Sequence, residues 1–185
     1  MAGLDGMRVP PNSVEAEQAV LGGLLLDNAA WESVAEALTE EDFYRRDHQL
    51  VFRAVREMIE SDRPADAVTV AEHLDAQGLS EQTGGLAYLG RLTSETPSAS
   101  NIAAYAAIVR ERSVLRQLIE VGGEIAGYAY QQEGRTAAQL IDQAEQLVYR
   151  IAERGRRAAG GLRPLKVFIS DTIDRLDVLH RSQNE

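Results

Sequence analysis

The feature that most limits how this chain can fold is a single apolar stripe. Ile102, Tyr105, Val109, Leu115, Ile119, Ile125 and Ala129 recur at helical spacing over about 30 residues, or roughly 45 Å at 1.5 Å per residue. A helix of that length exceeds the width of a small bundle, so some of it must project. Just past Pro97, Ser98 or Ser100 is placed to cap its start. Gln131 to Arg135 supply a polar turn containing Gly134, and Thr136 with Gln139 reads as a capping box for a second helix. That helix carries Leu140, Ile141, Ala144, Leu147, Val148 and Ile151, and the two together read as an αα-hairpin. A hairpin buries one seam internally. Both helices carry wide stripes, so the rest is expected to pair with another subunit. Gly123 and Gly127 are read as permitting close helix contact.

The remainder also favours helix: aromatics are 5%, Trp31 is alone of its kind, and good helix formers recur with few β-branched runs. After Pro10 and Pro11, Asn12 and Glu15 read as a capping box opening a helix to about Leu26, with Ala16, Ala19, Val20 and Leu24 on its apolar face. A second helix is expected after Asp27 and Asn28, with Trp31, Val34, Ala35 and Leu38 as its stripe. A third follows Asp47 with Val51, Ala54, Val55, Met58 and Ile59, ending at Ser61 to Pro64. Thr69 and Glu72 suggest another capping box, with Gly78 as the stop. A last short helix after Gly84 and Gly85 bears Leu86, Leu89 and Leu92.

The expected fold class is therefore all-α: a small helical bundle, then a long αα-hairpin and a tethered linker helix. By position, residues 1–97 form a globular head and 98–154 the hairpin. Residues 155–164, rich in Gly, Arg and Ala, form a flexible linker, and 165–185 an amphipathic helix. The apolar side of that helix is Leu165, Phe168, Ile169, Ile173, Leu176 and Leu179.

Several functions are excluded or disfavoured by composition. The net charge is −10, which opposes binding to a polyanion. From Arg150 to Lys166 the segment is net +5, leaving −15 elsewhere, and its glycines and Pro164 favour a solvated linker over a nucleic-acid patch. Lys166, the only lysine, stands between Leu165 and Val167, so no Gly-x-x-x-x-Gly-Lys phosphate loop is present. Neither a Gly-x-Ser-x-Gly elbow nor a Gly-x-Gly-x-x-Gly fingerprint occurs. The chain has no cysteine, which fits a reducing cytoplasm. The apolar run Ala19 to Leu26 falls far short of the about 20 residues that span a bilayer, and no secretory signal opens the sequence. Asp177 and His180 share one helical face, but two ligands do not make a zinc site.

Six ordered segments carry a resemblance. Val9 to Trp31 (VPPNSVEAEQAVLGGLLLDNAAW), Glu41 to Val55 (EDFYRRDHQLVFRAV), Val68 to Leu74 (VTVAEHL), Gly84 to Leu89 (GGLAYL), Thr96 to Arg112 (TPSASNIAAYAAIVRER) and Ser113 to Ile125 (SVLRQLIEVGGEI) resemble the opening of the bacterial replicative DNA helicases, the DnaB family. The resemblance implies a cytoplasmic collar: hairpins pair subunits into dimers, three dimers make a hexamer, and the collar stacks on a ring of motor domains. It implies that Leu165 to His180 docks on an adjacent motor domain, and that the chain is a fragment. The motor would follow Glu185 and hold the ATP, the Mg and the DNA contacts. No cofactor, metal or catalytic site is expected within these 185 residues. Primase and a helicase loader are the further implied partners, with Glu15, Tyr88, Ile119 and Ile125 as candidate primase contacts. The alternative is a stand-alone α-helical dimeric adaptor or regulator using a helix-turn-helix, which the −15 outside the basic segment disfavours. A carboxylate enzyme using Glu15 with Gln18 or Glu40 with Asp42 lacks an assembled base, nucleophile and pocket.

Overall fold

The computed structural model describes residues 9–131 and 134–158, with side chains through Glu153. Among the described residues the fold is all-helical: α1 (Val14–Leu26), α2 (Arg46–Glu60), α3 (Ala67–Ala76), α4 (Ser80–Thr83), α5 (Gly85–Glu95), α6 (Ile102–Tyr130) and α7 (Ala137–Ala158). Two 3₁₀ turns, Asn28–Ser33 and Glu40–Asp42, connect α1 to α2. The linker-helix residues Leu165, Phe168, Ile169, Ile173, Leu176 and Leu179 lie outside the described residues, as do Asp177 and His180. Helix α7 continues to Ala158, past the Arg154 boundary drawn from sequence.

The first helix is the axle of the head. Its sequence reads as one apolar face, yet α2, α5 and α6 all pack around it, burying Ala16, Val20, Leu21, Leu24 and Leu25 with both glycines between them. The glycines permit this crowding. A Cβ on Gly22 would lie 2.1 Å from Thr96 Oγ1 and 2.5 Å from the Leu92 carbonyl, and one on Gly23 would lie 3.1 Å from Ile102 Cδ1. Phe43 and Phe52 (centroids 4.8 Å apart) extend the core toward Trp31, which covers Phe52 at 5.6 Å from a half-buried position. The first turns of α6 belong to this core, through Ile102, Ala106 and Val109.

Four local readings are corrected. Ser13, not Asn12, caps α1: Ser13 Oγ accepts from Ala16 N (3.4 Å), while the Asn12 amide N–H donates back to the Pro10 carbonyl (2.8 Å). The second predicted helix is a 3₁₀ turn capped by Asp27. Val34 and Leu38 still reach the core while Ala35 is exposed, and Asn28 pins the turn by donating to the Leu24 carbonyl (2.8 Å) and the Ala65 carbonyl (3.0 Å). The cap of α3 is Asp66 with Thr69, not Thr69 with Glu72. The Asp66 carboxylate accepts from Val68 N (2.8 Å) and Thr69 N (2.9 Å), charge-assisted bonds a hydroxyl cannot match. Asn101 precedes α6 without a side-chain cap, since Ser98 and Ser100 bond each other (3.2 Å). The hairpin box forms as the spacing predicts: Gln139 Oε1 accepts from Thr136 N (2.9 Å) and Thr136 Oγ1 from Gln139 N (3.3 Å).

Two carboxylates of the proposed enzyme pairs prove to be structural ties. Glu40 receives Arg56 (2.6 Å) and lies 3.8 Å from Arg53; Asp42 receives Arg110. Burial pushes the Glu40 carboxyl up, but its own backbone N–H and the two guanidiniums outweigh this and leave it below its ordinary 4.5. For Asp47, burial likewise raises the carboxyl while Arg45 and the neighbouring His48 lower it further, to a net value below 3.8.

The head is therefore expected to respond in two measurable ways. Gly22→Ala should lower stability by about 3 kcal/mol through overpacking against backbone, whereas Gly90→Ala on α5, whose Cβ meets nothing within 4 Å, should gain about 0.5–1 kcal/mol of helix propensity; urea unfolding followed by circular dichroism distinguishes them. Because the folded-state carboxyls of Glu40 and Asp47 lie below their unfolded values, their contribution is present above those values and lost as the pH falls through the depressed ones. The urea midpoint should accordingly drop as pH falls from about 5 toward 3, and drop less steeply in Glu40→Gln.

Candidate functional site

Helix α6 leaves the head after Arg116, and from there its packing partner is α7. Their seam is short of apolar mass: Leu147 and Ile151 are buried against Gln117 and Val121, while Ile125, Ala129, Leu140 and Ala144 leave an apolar groove of about 390 Å³ near the turn. The turn itself is closed by Gly134 in a left-handed conformation (φ 80°) and by Arg135, which lies over the Tyr128 ring at 4.9 Å. Outside the seam, apolar side chains face solvent on both helices: Ile119 is 61% exposed, Ile141 58%, Tyr149 56% and Val148 47%. The six residues read as one pairing stripe thus divide. Leu147 and Ile151 are buried in the seam, Leu140, Ile141 and Ala144 line its groove near the turn, and Ile141 and Val148 keep about half their surface exposed among the described residues. Among the described residues Gly123 and Gly127 make no close approach, since a Cβ at either would meet nothing within 4 Å.

The root of the hairpin is fixed by polar chemistry. Asp42, 1% exposed at the end of the second 3₁₀ turn, accepts from Arg110 (2.5 Å) and Ser113 (2.7 Å) of α6 and, through the same side chain, from Thr39 N (2.8 Å). Arg116 donates to the carbonyls of Asp42 (2.6 Å) and Pro11 (2.8 Å) and lies over the Tyr44 ring at 5.7 Å. Burial pushes the Arg116 guanidinium below its ordinary range, with Glu17 and Asp42 opposing that shift. Across the strand of chain that follows, Glu17 (1% exposed) accepts from Tyr44 N (2.6 Å) and Arg45 N (3.4 Å), capping α2 from a neighbouring helix where Arg45 provides no side-chain cap. Glu17 also meets His48 Nδ1 at 2.7 Å, and His48 Nε2 meets the Tyr88 hydroxyl at 2.6 Å. Gln18 also donates to the Tyr88 oxygen (3.4 Å), so the hydroxyl is held from α1 as well as by His48.

Of the four candidate docking residues, Glu15 is exposed on the rim of a groove of about 490 Å³ between α1, α5 and α6, and Ile119 stands out from the hairpin. Ile125 lines the groove near the turn, and Tyr88 is half-buried with its hydroxyl committed to His48 and Gln18. The structure does not gather these four into one patch. Sequence reasoning passed over Glu17, and it took Asp42 only as half of a carboxylate pair, without its tie to α6. A charged residue between Ala16 and Val20, inside an apolar stretch, was the available signal. Among the described residues no group of three His, Cys, Asp or Glu is placed to hold a metal, and no helix is long and apolar enough to cross a membrane.

The family model described as "DnaB-like helicase N terminal domain" matches residues 9–111. The chain is 40% identical over 176 residues to the replicative DNA helicase DnaB of Haemophilus influenzae, covering 95% of this chain and 38% of that protein. It is 42% identical over 173 residues to the corresponding helicase of Mycobacterium leprae, covering 93% of this chain and 28% of that protein. The chain therefore spans well under half the length of these relatives. Among solved structures, the N-terminal domain of DnaB helicase from Mycobacterium tuberculosis superposes with a TM-score of 0.73 at 44% identity, covering 76% of this chain and 99% of that one. A DnaB-like replicative helicase studied with primase shares the fold at 20% identity and a TM-score of 0.63, covering 88% of this chain and 35% of that one. A buried helical head continuous with a projecting hairpin, matched in sequence and in fold from end to end of a solved domain, places this chain in the DnaB-like helicase N-terminal domain family.

Proposed function

We propose that this chain is the collar and linker segment of a replicative DNA helicase, an assembly and docking module that is not itself a catalyst. The observation that carries this reading is the projecting hairpin, on which Ile119, Ile141 and Val148 stand exposed among the described residues. Apolar surface of that kind on a solvated arm is an association surface. A second copy pairs hairpin to hairpin, and three such dimers form the hexameric collar. Two of the similar proteins are replicative helicases by name, and a structural neighbour is described with primase; primase and a loader are the partners proposed for this chain on that basis.

In the whole protein, ATP hydrolysis, Mg binding and DNA translocation belong to a motor domain. These residues do not fit a nucleotide: the only lysine is Lys166, flanked by Leu165 and Val167, and no phosphate-loop pattern is present. The linker-helix stripe from Leu165 to Leu179 is proposed to dock on a neighbouring motor domain, and the protein to act in the cytoplasm. Glu15, Tyr88, Ile119 and Ile125 are proposed primase contacts from separate faces of the head and arm.

Charge placed on the exposed face tests the pairing without opening the hairpin. Ile141→Asp with Val148→Asp should reduce the mass measured by light scattering to that of the single chain, with the helical circular dichroism unchanged, because the buried interface would then hold unpaired carboxylates. Leu147→Asp, aimed at the internal seam, should instead lose helical signal. An Ile141→Asp, Val148→Asp chain of unchanged mass would refute pairing through this face.

A further inference from the structure

The stretch from Asp42 to His48 is gripped from both sides. Toward α1 and α5, Glu17 holds the N–H groups of Tyr44 (2.6 Å) and Arg45 (3.4 Å), and His48 bridges Glu17 (2.7 Å) and the Tyr88 hydroxyl (2.6 Å). Toward α6, the Asp42 side chain takes Arg110 (2.5 Å) and Ser113 (2.7 Å), and its carbonyl takes Arg116 (2.6 Å). Tyr44 belongs to both sets, its N–H on Glu17 and its ring under Arg116 at 5.7 Å. Glu17, Asp42, His48 and Ser113 are all buried, and water cannot replace a partner that one of them loses. A polar network in that environment is more costly half-satisfied than intact, so its members give way together.

We propose that the Asp42–His48 stretch is a coupling strap: it ties the α5 surface at Tyr88 to the root of the hairpin, so that releasing the Tyr88 hydroxyl loosens α6 between Arg110 and Arg116, and loosening that root is felt at Tyr88. Tyr88 is half-buried with one edge at the surface between Arg45 (6.0 Å) and Arg91 (5.0 Å), so a protein seated there would touch one end of the strap directly. On the reading of the hairpin as the subunit-pairing arm, that contact changes how the arms are held. The coupling itself is a property of the single chain, so its test does not depend on the pairing.

Hydrogen exchange read by mass spectrometry on the whole chain tests it. In Tyr88→Phe, which removes one oxygen, exchange should rise about fivefold across 42–48 and 110–117. Helix α3 packs directly against α5 but lies off the strap, and its exchange should stay unchanged. Coupling is reciprocal, so Ser113→Ala should raise exchange across 84–92. Gln18→Ala, which removes the second side-chain partner of the Tyr88 hydroxyl, gives a milder version of the first variant should Tyr88→Phe fail to fold. No change across 110–117 in the α5-side variants would overturn the proposal, and so would an equal rise in α3, which marks general destabilisation.

Discussion

Asp42 is a carboxylate with almost no access to water, and the position of the hairpin on the head depends on how it is satisfied. An unpaired buried carboxylate costs several kcal/mol, so the second 3₁₀ turn settles only where Arg110 and Ser113 can reach it. That condition specifies which turn of α6 faces which stretch of the loop. Apolar packing of Ile102, Ala106 and Val109 supplies the area, but such contacts tolerate sliding, whereas a carboxylate that takes two donors from α6 and a third from its own turn does not. Its net contribution to stability is small by comparison with what its geometry specifies.

Glu17 acts in the same way in the adjacent layer, closing the start of α2 and reaching α5 through His48. Both acids stand beside helices that cross at close range, and the crossing is possible because Gly22 and Gly23 bring α1 against α5 and α6. The head is thus over-determined: shape through glycine and aliphatic packing, orientation through two buried acids. The arm is the reverse. Beyond Arg116 two helices share a thin seam, and much of their apolar surface is exposed among the described residues. On the proposed reading, a rigid root and an exposed shaft suit an assembly module, since the head fixes where the apolar surface points.

The fold was legible where period and cap agreed. The long α6 stripe, the Thr136–Gln139 box and the Gly78 stop follow from local rules that tertiary context does not override. Caps shifted where two acceptors competed, as with Asp66 over Thr69, and the stretch after Asp27 became a 3₁₀ turn because Asn28 is bound to the far loop at Ala65, a contact no local pattern contains. The apolar face of α7 was only partly readable. Periodicity places Ile141, Leu147, Val148 and Ile151 on one side of α7, but which of them meets α6 depends on the rotation of the hairpin. The roles of the two buried acids were hidden because the partners that tie them to other elements, such as Tyr44 for Glu17 and Ser113 for Asp42, lie 27 and 71 residues away in the chain.

The claim on which the proposed function stands is that the hairpin surface is covered by a second copy. Sedimentation equilibrium of the chain over a wide concentration range measures this directly. Pairing predicts a mass rising from the 20.3 kDa of one chain toward twice that value or a higher even multiple as concentration increases. A mass that stays at 20.3 kDa throughout would contradict it.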